Sequence, residues 1–394
     1  MSTSPSVLPS LESRIQVREL ASSEIRKVAN YAMGRDDVLP FWFGESDQPT
    51  ANFIREAAVG SINNGETFYA QNLGRPYLRE GIAHYLSSLH GKTIDSDRIG
   101  VTGSGVSGLM LAAQLLVSPG DRVVAITPIW PNLVEIPKIL STRVERVSLE
   151  VSDGCWKLNV DKLLAALTPD TRLLMLNSPN NPTGWTIDQQ SVDIILAHCR
   201  KFGIWIVADD VYERLVFDPA LKSAPSFLRS SQEGDRIISV NSFSKAWTMT
   251  GWRIGWMVVP PELADDLAKL IEYNVSCVFE PVQRGAFAAI TQGEWAISEL
   301  RQRLRDTRSV LLNGLKALPG VEVPEAGGAM YAFFRIEGQN DTLMLASQLV
   351  QEVGLGLAPG GAFGPEGNGW LRWCHAVEPE KLLLGLERLK RFLT

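Results

Sequence analysis

The segment NSFSKAWTMTGWRIGW (241–256) sets Lys245 among two serines, three tryptophans and Arg253. A lysine is ordinarily a solvated surface charge. An ammonium held among apolar rings and near a guanidinium has a lowered pKa, because burial and like charge both disfavour its charged form. The amine so released can attack a carbonyl and form a Schiff base. Ser242 and Arg253 add a hydroxyl and a fork of N–H donors, groups that suit a phosphate.

A second candidate for phosphate is VTGSGVSGLM (101–110), in which Gly103, Gly105 and Gly108 spell GxGxxG. A dinucleotide fold also needs an acidic residue about 20 positions on, at the end of the next strand, to hold the ribose. Here that strand ends in Thr127 and Pro128; Asp121 precedes it and Glu135 comes well after. The ribose reader is missing. Two readings stay open: a tight glycine turn, or a helix start whose Ser104, Gly105 and Val106 amides and dipole attract a phosphate. The apolar face of that helix is Val106, Leu109, Met110, Ala113 and Leu116.

The elements that must position these groups are legible as short Val- and Ile-rich runs alternating with helical-period segments, the pattern of a mostly parallel sheet with helices on both faces. The runs are DRVVAIT (121–127), RLLMLNS (172–178), GIWIVAD (203–209) and RIISVNS (236–242). Each ends in a polar cluster, where open α/β sheets place their ligands. From about 295, Ile297, Leu300, Leu304, Leu311 and Leu315 recur at helical spacing and open a second domain. Gly-rich strands follow, then a loop, PGGAFGPEGNG (359–369), and a last helix in EKLLLGLERLKRFL.

The 394 residues suit two domains, and 45% hydrophobic with 21% charged residues is a globular balance. A net charge of −6 argues against a mainly electrostatic nucleic-acid or membrane-surface role. Cys155, Cys199, Cys277 and Cys374 show no CxxC spacing and read as reduced, mostly buried thiols; no metal site is expected. His84, His90, His198 and His375 fall in no triad or metal spacing and read as structural. MSTSPSVLPSLESRIQ has no basic start or apolar core, and no apolar run approaches membrane length, so a cytoplasmic protein is expected.

Lys245 in SFSKxxxMTGWRxG, with NSPNNPTG (177–184), ADDVYERL (208–215), YAQNLGRPYLRE (69–80) and LRWCHA (371–376), resembles the aspartate-aminotransferase-like enzymes of fold type I, which use pyridoxal 5'-phosphate. The resemblance runs from about Gly44 to Arg372 with the motifs in the family's order. It implies an α/β chain whose large cofactor-binding domain spans 48–289, with a smaller α+β domain formed by 1–47 and 290–394. Lys245 matches the Schiff-base lysine and proton shuttle. Asp209 matches the carboxylate that keeps the cofactor's pyridine nitrogen protonated, although Asp209 could instead cap a helix and Asp210 take that task. Asn181 and Tyr212 match the groups that hydrogen-bond the cofactor's phenolic oxygen; without the family, NNPTG reads as a plain turn. Trp130 matches the ring that stacks on the pyridine, or else is a core tryptophan. Ser104, Gly105, Val106, Ser242 and Arg253 would form the phosphate cup, joined by Tyr69 from a partner subunit, which implies a homodimer. Arg372 matches the arginine that grips the α-carboxylate, and Gly44, in FWFGESDQPT, the turn beside it. Ser46 departs from the proline usual there.

The implied reaction is transfer of an amino group from an L-amino acid to a 2-oxo acid, by a ping-pong route. A lyase on the same scaffold, a carbon-sulfur lyase or an aminocyclopropane-carboxylate-synthase-like enzyme, shares the lysine, the aspartate and the phosphate cup. An aminotransferase-like ligand sensor would need a DNA-binding region, and the roughly 40 residues before Gly44 are too few and not notably basic. No basic partner for a dicarboxylic donor is evident, though KLIEYNVSCVFEPVQR offers Lys269 and Arg284 alongside Glu272 and Glu280. Phe41, Trp42, Phe43, Phe279 and Tyr331 hint at an apolar or aromatic donor.

Overall fold

The computed structural model describes residues 11–394. Residues 1–10, the start of the expected amino-terminal arm, lie outside the described residues. Seven strands form the main sheet: β1 (Ile99–Thr102), β2 (Arg122–Thr127), β3 (Arg143–Ser148), β4 (Thr171–Asn177), β5 (Trp205–Asp209), β6 (Ile237–Ser242) and β7 (Gly255–Val258). Their order is β1-β7-β6-β5-β4-β2-β3, with β7 antiparallel to both neighbours and every other pairing parallel. The chain is thus an α/β protein with a mixed, mostly parallel sheet.

The central strands are apolar at nearly every position because both faces are covered. Successive side chains point to opposite sides. Accordingly Leu174, Leu176, Ile206 and Ala208 pack in one core, while Leu173, Met175, Val207 and Ile238 pack in the other. The four runs read as strands in the sequence coincide with β2, β4, β5 and β6 to within two residues. β3 carries no such signal: it is an edge strand whose exposed and covered positions alternate in RVERVS.

Helix α1 (Gly105–Leu116) leaves β1 through the glycine loop. It buries Leu109, Ala113 and Leu116 as expected, and also Leu111 and Ala112. Val106 and Met110 stay partly exposed, which corrects the expected apolar face: the helix is covered on a broader side than one stripe, and Val106 faces a cavity. The long amphipathic helix is α2 (Glu294–Lys316), with Ile297, Leu300, Leu304, Leu311 and Leu315 all buried.

A second sheet follows: β8 (Val321–Glu322), β9 (Tyr331–Ile336), β10 (Ala358–Pro359) and β11 (Trp370–Cys374), in the order β8-β9-β11-β10, all antiparallel. The chain ends in α3 (Pro379–Leu393). Leu39–Pro40 pairs in parallel with Leu355–Gly356, which ties the segment before Gly44 to this carboxyl-terminal part. Among the described residues no helix is long and apolar enough to cross a membrane. All four cysteines are free; Cys199 and Cys374 are buried, Cys155 and Cys277 half-buried.

Candidate active site

A cavity of about 820 Å³ opens where β4, β5 and β6 end. Asn177, Asp209 and Ser242 are the last residues of those strands, and all three line it. This is the edge at which a parallel sheet delivers side chains to a ligand, because the strand ends and following loops converge there.

Lys245 enters from the short helical turn Phe243–Ala246 that follows β6, with Ser242 as its N-cap. Its Nζ donates to the Gly44 carbonyl and lies 5.7 Å from the Tyr212 ring centroid. Burial pulls this ammonium down to about 8, and the positive charges of Arg372 and Arg253 act in the same direction. Asp209 is 2% exposed, and burial pushes its carboxyl up to about 8 against the opposing Val211 amide and Lys245 charge. Asp210 is buried too but does not line the cavity; it accepts from Ser239 Oγ at 2.5 Å.

Arg372, on β11, is 2% exposed. Its guanidinium donates to Asn181 Oδ1 at 2.7 Å and to the Trp42 carbonyl, and it lies 4.4 Å from the Tyr331 ring centroid and 4.8 Å from that of Phe363. Its Nε has no partner, and among the described residues no carboxylate pairs with it. A buried charge without a counter-ion is expensive, so the fork is poised for an anion that a ligand brings. Asn181 also donates its amide N–H to Asn177 Oδ1 at 2.7 Å, and Asn177 Nδ2 donates to the Asp209 carbonyl at 2.9 Å. One hydrogen-bonded chain therefore links the arginine to the backbone of the buried aspartate.

At the opposite wall, α1 begins at Gly105 and Val106, whose amides, as the first of a helix, have no acceptor in a preceding turn. Gly105 packs closely on the neighbouring strand end: a Cβ there would meet Ser242 Cβ at 3.3 Å, a tight contact. Ser104 does not line the cavity. Its hydroxyl is spent as the helix N-cap, accepting from the Ser107 amide at 3.0 Å. Arg253 donates to the Thr250 carbonyl at 2.7 Å and adopts φ 54°, a left-handed conformation that strains a side-chain-bearing residue and is held by its surroundings.

Of the residues singled out in the sequence, Lys245, Asp209, Tyr212, Gly105, Val106, Trp130, Asn181, Ser242, Arg253, Gly44 and Arg372 line this one cavity. Ser104 and Tyr69 do not; Tyr69 is 87% exposed on its own chain. Asn177 and Ser244, not singled out in the sequence, also line the cavity. Asn177 and Ser244 each lie inside a quoted motif, which was the available signal. The aromatic cluster is corrected: only Phe43 and Tyr331 of its five rings reach the cavity. Phe41 packs on Trp373, Trp42 is buried beside Gly356, and Phe279 is half exposed at the start of the helix Glu280–Gln292. Neither Lys269 nor Arg284 lines it either; they pair with Asp266 and Glu66. The histidines fall outside it as well: buried His375 meets Thr307 Oγ1 at 3.1 Å, and His198 the Leu167 carbonyl at 2.7 Å.

The family model for aminotransferases of class I and II matches residues 36–389. The chain is 31% identical to the aspartate aminotransferase of Pyrococcus horikoshii, over 94% of either chain, and 30% identical to that of Streptomyces avermitilis, over 98% of either. A mutant of Thermus thermophilus aspartate aminotransferase superposes with a TM-score of 0.90 at 28% identity, covering 98% of this chain and 100% of that one. With its fold-type-I sheet and a lysine, an aspartate and an arginine meeting in one cavity, the chain belongs to the class I and II aminotransferases, enzymes that depend on pyridoxal phosphate.

Proposed function

We propose that Lys245, Asp209, Tyr212, Asn181 and Arg372 carry out the amino transfer in this cavity, with Gly105, Val106, Ser242 and Arg253 seating the cofactor's phosphate and Trp130 lying against its ring. The observation that carries the reading is the buried Arg372 fork, without a carboxylate partner among the described residues, sharing a cavity with a lysine whose ammonium is held near 8. The cofactor fits the residues present. The α1 amides at Gly105 and Val106 can donate to a phosphate, Lys245 can hold an aldehyde covalently, and buried Asp209 would gain a counter-charge from a protonated ring nitrogen.

When bound, that group supplies a sink for the electrons released as the donor loses its Cα proton. The rest is done by the protein. Arg372 would bind the donor's α-carboxylate through both oxygens, while Asn181 Oδ1 accepts from its guanidinium at 2.7 Å. Lys245, as a free amine, would take the Cα proton and deliver it two bonds away, on the far side of the donor nitrogen, work for which a base near neutrality is best matched. Asp209 holds the proton on the ring nitrogen, and the Tyr212 phenol directs its O–H to the phenolic oxygen. A 2-oxo acid then runs the route backwards.

The donor class follows from the cations at the mouth. Arg146 is committed to Glu366 and Lys138 to Glu135, whereas Arg26 lines the cavity 5.9 Å from the Phe43 ring, its guanidinium in no carboxylate pair among the described residues. We infer an acidic donor such as aspartate, the donor named for several of the relatives; preference for phenylalanine or methionine over aspartate in a donor panel would overturn this. We also infer a homodimer whose exposed Tyr69 completes a partner's phosphate cup, a cytoplasmic setting suited to four free thiols, and the division into 48–289 and its flanks, with the nearest break between helices, Gly293, just past that boundary.

The deciding experiment is Lys245→Ala. We expect kcat to fall by about 10³-fold or more, with the loss of borohydride-fixed cofactor at that position. Undiminished turnover of amino donors would overturn the assignment.

A further inference from the structure

Tyr331 lies in none of the motifs that carry the family resemblance, yet it touches three parts of the site. Its side chain is 1% exposed. Its hydroxyl is 2.6 Å from the Tyr212 hydroxyl, with the two rings 74° apart, edge to face. The Arg372 guanidinium rests 4.4 Å from its ring centroid. A Cβ on Gly44, whose carbonyl receives Lys245 Nζ, would land on the Tyr331 hydroxyl. Tyr331 opens β9 and pairs with Cys374 on β11, the strand that carries Arg372. Tyr212 follows β5 of the main sheet. One side chain therefore bridges the two sheets at the point where their functional groups meet.

Hydrogen bookkeeping gives the bridge a direction. A phenol has a single hydrogen to donate and lone pairs to accept. If Tyr212 is to send its hydrogen into the cavity, the 2.6 Å bond must be donated by Tyr331. Burial pushes the Tyr331 phenol up to about 12 and Tyr212 well above its ordinary value, so both stay protonated through the neutral range.

We propose that Tyr331 is a positioning residue for the transfer: its hydroxyl donates to Tyr212 and turns the Tyr212 O–H toward the cofactor's phenolic oxygen, while its ring holds the Arg372 fork in place for the substrate carboxylate. The proposal rests on the roles given above to Tyr212 and Arg372. The two halves of the side chain thus have separable effects, the hydroxyl on the cofactor's titration and the ring on carboxylate binding.

The test uses the cofactor-loaded enzyme and the pH titration of its visible absorption band, a readout that a purely structural role would not move. A donor to the phenolic oxygen favours the oxygen's ionised form and brings the midpoint to lower pH, so its loss raises the midpoint. Tyr331→Phe, a one-atom change that keeps the ring, is expected to raise the midpoint by about 0.5 to 1 pH unit, the effect of one neutral hydrogen bond. The donor KM should stay within about twofold, because the cation–ring contact survives. Tyr331→Leu, which removes the ring, should raise that KM about three- to tenfold. In a Tyr212→Phe background, Tyr331→Phe should add no further shift. A wild-type midpoint for Tyr331→Phe, when Tyr212→Phe moves it, would overturn the proposal and leave the site reading standing. So would a full Tyr331→Phe shift that persists in the Tyr212→Phe background. If neither substitution moves the midpoint, the role given to Tyr212 fails, and the proposal with it.

Discussion

Asp209 and Asp210 are neighbours at the end of one strand, both carboxylates and both buried, and they meet opposite fates. Asp209 lines the cavity and shares it with Lys245. Asp210 is turned into the fold: it does not line the cavity, Ser239 donates to it at 2.5 Å, and nearby Glu213 accepts from Asn241 Nδ2 at 2.7 Å with its other oxygen 3.5 Å from His90. Burial raises both aspartates, to about 8 and about 7. The difference is who can offset that burial. Asp210 is answered by the Ser239 hydroxyl, fixed at folding, and has no opening to the cavity. Asp209 has one weak amide contact, from Val211 at 3.3 Å, and is open to a cation that a ligand brings. We read the carboxylate beside the cavity as the one available to a ligand, and its neighbour, turned away from the cavity, as part of the fold's interior.

The sharpest way to break this comparison is to remove each carboxylate in turn. Asp209→Ala should weaken cofactor retention by about 2 to 5 kcal/mol, the cost of truncating one partner of a buried charge pair, read by titrating the stripped protein with pyridoxal phosphate. Wild-type retention would transfer the role to Asp210. Asp210→Ala should act elsewhere. With Ser239 left without its acceptor, unfolding stability in denaturant should fall by about 1 to 3 kcal/mol. Cofactor affinity should change far less than in Asp209→Ala, because Asp210 does not line the cavity. A large loss of affinity there would mean that the two carboxylates work as one unit.

The pair also marks how far the sequence could be followed. Both faces of the main sheet are covered, so its inner strands are continuous β-branched runs and stand out, as in RVVAIT and IISVNS. The edge strand RVERVS, half exposed, does not. Lys245, Arg253 and Asn181 were legible because the chain keeps them inside motifs with fixed local spacing. The choice between Asp209 and Asp210 was not, since it depends on which way the strand end turns its side chains. Tyr331 and the chain from Arg372 through Asn181 and Asn177 to Asp209 were hidden for a related reason: they join residues from two sheets, a relation no local pattern carries. Phe41 and Trp42 misled because ring composition says nothing of direction; they lie in the core, while their neighbour Phe43 faces the cavity.

The smallest effect is also the most specific. In the cofactor-stripped protein, Asp209 has a folded-state pKa raised to about 8, against 3.8 unfolded. Its protonated form is the one that burial favours, so its contribution to stability is complete below the unfolded value and is lost as pH rises toward and through about 8. Across that window the folded chain holds one proton more than the unfolded one, which tilts stability downward by at most about 1.4 kcal/mol per pH unit. Asp210 and Glu213, also raised, tilt it the same way, while buried His90 and His375, lowered to about 4 and about 3, lose stability instead as pH falls below their unfolded range. The comparison therefore has to be a difference. Stripped Asp209→Asn should lose about one proton's worth of that slope between pH 5 and 7 relative to wild type, measured by denaturant unfolding at a series of pH values. Loading wild type with pyridoxal phosphate should flatten the slope by a similar amount, because a ring-nitrogen cation then answers the carboxylate. If loading leaves the slope unchanged while Asp209→Asn flattens it, the cation does not reach Asp209, and the distinction drawn between the two neighbours fails at its open end.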